Sequence, residues 1–176
     1  LPVLQEADVR LYQIFGAQPA WIVHEYRPAR DGNEAIALTA DEALDPLRTA
    51  VLEQKPGVAL GPASDNEEAK LVDFGPQRVV VDANLSAPGI VVSSEVSYPG
   101  WVARVNGGRA ETLRVYGLLR GVALPAGQWR IEWRYEPVTV YAGLALALGG
   151  LALTAGLLGV GRRRSRYISK VTYVQD

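Results

Sequence analysis

Hydrophobic positions fall into two regimes that meet near residue 137. Before it, apolar residues come in short runs or alternate with polar ones; after it they run without a charge as far as Val160. The clearest alternation closes the first regime. Trp129, Ile131, Trp133 and Tyr135 share one face of an extended segment, and Gln128, Arg130, Glu132 and Arg134 share the other, which predicts a half-buried strand with one wet face. Six short segments of strand character precede it: Leu71–Phe74, Arg78–Leu85, Ile90–Ser97, Trp101–Val105, Arg109–Val115 and Leu118–Leu124. Pro-Gly, Asn-Gly and Ala-Gly breaks stand among them. Asn106-Gly107 predicts a hairpin, because it supplies the two positive-φ positions of a type I′ turn. Strands of this length and spacing predict a mainly β fold, a jelly-roll-like β-sandwich.

Closer to the start, Ala20–Tyr26 predicts a strand that ends at Pro28, and Thr49–Glu53 a second short strand. Between them Asp31 offers a helix N-cap, and Ile36, Ala40, Ala43 and Leu44 share one helical face ahead of Pro46. Lys55–Lys70, rich in Gly, Pro and acids, predicts an exposed loop. The predicted organisation is an α/β segment over 1–54 packing on the sandwich, a loop over 55–69 and sandwich strands over 70–137. A membrane helix over 138–160 and a basic tail over 161–176 follow.

The apolar segment, 23 residues from Val138 to Val160, would span roughly 35 Å as a helix, against a hydrocarbon core of about 30 Å. A core helix of a soluble protein is shorter and carries a polar face. The segment therefore predicts a single transmembrane helix, with Tyr141 and Tyr167 as interfacial anchors. Arg162, Arg163, Arg164, Arg166 and Lys170 follow it at once. An arginine at mid-bilayer costs about 3 kcal/mol, so the triple arginine marks the helix's exit from lipid.

Charge sharpens this picture. The total of −1 conceals 13 basic against 18 acidic residues up to Pro137, a net of −5, and 5 basic against one acidic residue beyond it, a net of +4. The positive-inside bias puts the basic tail in the cytoplasm and residues 1–137 outside a plasma membrane. A domain of that size ahead of its only span needs an export signal. Leu1–Phe15 has neither a charged n-region nor an apolar h-region, so the expectation is a cleaved signal peptide or further membrane segments upstream. The join of sandwich to helix, Glu136-Pro137, is short enough to seat the sandwich directly on the bilayer surface.

Candidate chemistry is sparse. The chain has no cysteine, which excludes disulfides, thiolate nucleophiles and cysteine-ligated metals. The sole histidine, His24, stands beside Glu25 in a strand, where neighbours point to opposite faces and make no acid–base pair. Asp65-Asn66-Glu67-Glu68 offers oxygen ligands without the alternating spacing of a calcium loop, and reads as a solvated acidic loop. Asn84-Leu85-Ser86 matches the N-glycosylation pattern, which chance often produces. No phosphate-binding glycine loop or nucleophile elbow is present, and an acidic body argues against nucleic acid. No catalytic residue, cofactor or metal is expected. Among the aromatics, Trp129, Trp133 and Tyr135 alternate as a core face does, whereas Tyr98 and Trp101 flank a turn and are the candidates for glycan or partner contact. Ala145/Gly149 and Ala152/Gly156 repeat a small-xxx-small spacing, which favours close packing against other transmembrane helices. The arginine cluster would also attract anionic lipid, at roughly 1 kcal/mol per basic residue near the surface.

Several strings resemble the C-terminal part of the YfhO-type bacterial membrane proteins, polytopic proteins with a glycosyltransferase-C-like membrane region. They are APGIVVSSEVSYPGWVARVNGG at 87–108, YGLLRGVALPAGQWRIEWRYEP at 116–137 and, more loosely, AWIVHEY at 20–26 with DPLRTAVLE at 45–53. Tyr98-Pro99-Gly100-Trp101, Ala123-Leu124-Pro125-Ala126-Gly127 and Trp133-Arg134-Tyr135-Glu136-Pro137 occupy the places of that family's motifs, ahead of a final membrane helix. The resemblance implies an extracytoplasmic domain in a surface-glycan or membrane-complex context. The acidic catalytic residues of such polyprenyl-phosphate-sugar enzymes lie between early membrane helices that this sequence does not contain, so no catalytic residue carries over. The expected function is a non-catalytic, single-span accessory or stabilising subunit of a larger membrane complex. The alternative is the terminal domain of a YfhO-like glycosyltransferase, acting on the acceptor side or binding glycan.

Overall fold

A computed structural model describes residues 2–6, 9–12 and 18–171, with side-chain surroundings over 18–156. The chain divides into two compact units, Leu1–Glu136 and Pro137–Asp176.

The first unit is mainly β. Its elements are β1 (Pro2–Glu6), β2 (Val9–Tyr12), β3 (Ala20–Val23), β4 (Glu25–Pro28), α1 (Gly32–Thr39), β5 (Thr49–Leu52), β6 (Glu68–Gly75) and β7 (Arg78–Leu85). There follow β8 (Gly89–Val96), β9 (Trp101–Val105), β10 (Gly108–Ala110), β11 (Leu113–Val115), β12 (Leu119–Leu124) and β13 (Gly127–Tyr135). One sheet has the order β10-β9-β13-β7-β6, and a second the order β3-β8-β12-β11-β5-β4; β1 and β2 form a two-stranded sheet.

Alternation along the strands builds two apolar layers. Val79 and Val81 of β7, Ala103 of β9 and Ile131 and Trp133 of β13 meet Val91 of β8 and Val122 and Leu124 of β12. This is the core between the sheets. On β8 the neighbours of Val91, Ile90 and Val92, turn to the opposite face and join Val23, Leu52, Leu113, Val115 and Ala35 of α1 in a second core. β8 is therefore buried on both faces over Gly89–Ser93.

Residues 20–52, set apart in the sequence reading as a segment packing on the sandwich, supply β3, β4 and β5 of that sheet. Ala20–Val23 pairs antiparallel with Ile90–Ser93. β4 and β5 run parallel, Glu25 opposite Thr49 through Pro28 opposite Leu52. A parallel pair needs a crossover, and α1 provides it while covering the second core. Asp31 caps α1 by accepting from the Glu34 backbone N–H at 2.9 Å. The helix ends at Thr39, short of Leu44, where Asp41 accepts from the Ala43 backbone N–H and turns the chain.

The second unit is α2 (Val138–Val171), one continuous helix. Among the described residues it is the one helix long and apolar enough to cross a membrane, over Val138–Gly156, and none of that stretch is buried. Its backbone stays helical past position 160 and through the arginine cluster, where neither Gly nor Pro interrupts residues 162–171.

Candidate functional site

Tyr98-Pro99-Gly100-Trp101 is a turn joining β8 to β9, with the Trp101 backbone N–H directed at the Tyr98 carbonyl at 3.3 Å. Proline second and glycine third, with Gly100 at φ +102°, are the residues of a type II turn. Glycine is required twice over, since a Cβ there would stand 2.8 Å from Cε2 of Tyr135. The turn is held to the end of β13: the Glu136 N–H donates to the Gly100 carbonyl at 2.6 Å, and the Trp101 and Tyr135 rings lie 5.6 Å apart. This fixing leaves Tyr98 63% exposed and Trp101 half-buried.

Behind Trp101 lies Arg120 of β12. It shares the inward face with Val122 and Leu124, opposite Ser93 on β8, and is 1% exposed. Its guanidinium carbon is 4.0 Å from the Trp101 ring centroid and 5.6 Å from that of Trp133. The nearest carboxylate, Glu95, comes to 3.9 Å, beyond hydrogen-bond reach. Among the described residues Nε, Nη1 and Nη2 of Arg120 have no hydrogen-bond partner, nor have Ser93 Oγ and the Trp133 indole N–H. Burial pulls the Arg120 pKa down to about 10, with Glu95 acting the other way, so the group stays charged at neutral pH.

Tyr98, Trp101 and Arg120 line a cavity of about 440 Å³, together with Ser97, Arg114 and Glu53. Arg114 and Glu53 approach to 3.7 Å across it. The structure thus brings both turn aromatics to one pocket and adds two arginines. Arg120 escaped the sequence reading, although its place two residues before Val122 in an alternating strand was a signal that it points inward.

The remaining candidates lie elsewhere. His24 pairs with Glu67, at 2.5 Å from its Nε2, while its Nδ1 is 3.1 Å from the Pro88 carbonyl; Glu25 instead accepts from the Thr49 hydroxyl at 3.1 Å. Glu67 also accepts from the backbone N–H groups of Ser86 and Ala87, at 2.7 and 3.1 Å. Of the acidic run 65–68, Glu67 is thus a buried clasp. No group of three or more His, Asp or Glu side chains suited to a metal occurs among the described residues. On α2, Ala145, Gly149, Ala152 and Gly156 are exposed, and nothing in the structure lies within 4 Å of a Cβ added at either glycine. Arg162, Arg163, Arg164, Arg166 and Lys170 sit on helical backbone of the same element.

Comparison with protein-family models, curated proteins and solved structures finds no match.

Proposed function

We propose that the chain is a non-catalytic, membrane-anchored β domain that serves as an accessory or stabilising subunit of a larger membrane assembly. In this reading α2 crosses the plasma membrane once, the β unit lies outside the cytoplasm, and the basic end of the helix lies inside. The observation that supports it most is the apolar stretch Val138–Gly156, whose residues are all uncovered and whose small residues Ala145, Gly149, Ala152 and Gly156 share one face. Apolar surface of that length is at home in lipid, and a small-residue face lets a second helix approach closely. Gentle detergent extraction of the tagged full chain from its native membrane tests the proposal. A second polypeptide in fixed ratio is expected; recovery of the chain alone would count against it.

One observation favours a second reading, in which the β unit contacts glycan, as the acceptor-side domain of a YfhO-like glycosyltransferase would. Tyr98 and Trp101 line the same pocket. Because Trp101 also covers Arg120 and packs on Tyr135, Tyr98→Ala is the cleaner test. It should abolish saccharide binding with the fold intact, and unchanged binding would dismiss the reading.

A further inference from the structure

The end of the sandwich that carries Tyr98 and Trp101 holds a positive charge without hydrogen-bond acceptors. A guanidinium withdrawn from water is tolerated when its charge and its N–H groups are met. At Arg120 the charge is partly met, by the faces of Trp101 and Trp133 and by Glu95 at 3.9 Å. The N–H groups are not. Among the described residues Nε, Nη1 and Nη2 lack partners, as do the Trp133 indole N–H and the Ser93 hydroxyl on the inward strand faces; the one unpartnered acceptor at the pocket wall, Glu53 Oε1, lies beside Arg114. Indole and guanidinium only donate, and a hydroxyl donates readily. Such a set calls for an acceptor, and an oxyanion satisfies donors and charge together.

The pocket above this set has matching walls. Arg114, about half exposed, adds a second guanidinium, and its distance of 3.7 Å from Glu53 is longer than a hydrogen bond. Tyr98 adds an exposed aromatic face. A volume of about 440 Å³ is of the size that holds a small ligand.

We infer that this pocket is an anion site, in which the carboxylate or phosphate of a sugar-sized ligand engages Arg120 and Arg114 while the ligand's ring lies on Tyr98. The inference deepens the glycan reading and rests on it for the saccharide half alone. The guanidinium nitrogens present less than 1 Å² of surface each, so the anion reaches Arg120 after a small opening of the pocket floor, and Arg114 is the first cation it meets.

The test is titration of the full chain in detergent micelles with four probes, glucuronate, glucose 6-phosphate, glucose and inorganic phosphate, followed by tryptophan fluorescence, to which Trp101 and Trp133 report directly. The charged sugars should bind at concentrations where glucose does not, and the stronger of the two names the oxyanion. Arg120→Met should weaken binding by roughly tenfold or more, the loss expected for a charge-assisted hydrogen bond. Arg114→Gln should weaken it several-fold and leaves the buried layers untouched, so it carries the test if the Arg120 variant fails to fold. Tyr98→Ala should weaken the sugars and spare inorganic phosphate. Glucose binding as tightly as glucuronate would overturn the anion site and leave the glycan reading standing. Inorganic phosphate binding as tightly as glucose 6-phosphate would uphold the anion site and overturn its saccharide half. No binding of any probe at millimolar concentration would overturn both.

Discussion

Replacing Arg120 by methionine should leave the β unit as stable as before, or raise its stability by up to about 2 kcal/mol, although Arg120 is among the largest fully buried side chains in the chain. The guanidinium finds no hydrogen-bond partner among the described residues, and one buried unmatched polar group costs about 1–3 kcal/mol. Set against that are cation–π contacts with Trp101 and Trp133, about 0.5–2 kcal/mol each. The pair with Glu95, long and a third exposed on the acid's side, adds about 0–1 kcal/mol. The opposing sums nearly cancel. Methionine keeps the length of the stem on the face shared with Val122 and Leu124 and brings no unmet donor. Urea denaturation of the full chain in micelles, followed by tryptophan fluorescence, reads the difference as a shifted midpoint at constant slope. A loss above about 2 kcal/mol would refute the reasoning, because the guanidinium would then be matched inside the sandwich and in no need of a ligand.

Glu67→Gln should destabilise the unit by about 1–3 kcal/mol, since it weakens the clasp that holds His24 and the backbone N–H groups of Ser86 and Ala87. Burial pushes the Glu67 pKa up, but the hydrogen bonds from His24, Ala87 and Ser86 outweigh it and leave the pKa below its ordinary 4.5. A depressed carboxylate stabilises the fold above the unfolded value and loses that contribution as pH falls through the folded one. Chemical denaturation at a series of pH values should therefore show wild-type stability declining below about pH 4.5, with a flatter profile in the glutamine variant; parallel profiles would remove Glu67 from the account. Gly100→Ala should cost more than about 1 kcal/mol, from φ +102° and the approach to Tyr135, and should redshift Trp101 emission as the turn loosens; an unchanged midpoint would mean that the turn yields freely.

What was legible in the sequence was local. The alternation of 128–135 places Ile131 and Trp133 in the core, and Asn106-Gly107 adopts φ of 48° and 85° between β9 and β10. The uncharged run from Val138 to Val160 is helical throughout: it contains no proline, and its alanines and leucines outweigh its glycines. The parallel pairing of β4 with β5 was hidden, since it depends on where the crossover through α1 returns the chain. Tyr116 was hidden too. Its φ of 57° is unusual for an aromatic residue, and its hydroxyl donates to the Pro46 carbonyl, 70 positions away. The site was half legible. Tyr98 and Trp101 stand out beside a Pro-Gly turn, but Arg120 reaches Trp101 across the sheets and His24 reaches Glu67 over 43 positions. Contacts between distant segments leave no periodicity in either one.

The chain's lack of cysteine makes the central claim open to one direct measurement, cysteine cross-linking of α2 in the native membrane. Ala152→Cys stands on the small-residue face with Gly149 and Gly156, and Ala147→Cys stands on the opposite side of the helix. If the domain is an accessory subunit docked through that face, Ala152→Cys cross-links to a distinct polypeptide and yields one adduct of defined size, whereas Ala147→Cys does not. Equal reactivity of both positions with lipid-phase reagents, with no protein adduct from either, would contradict it.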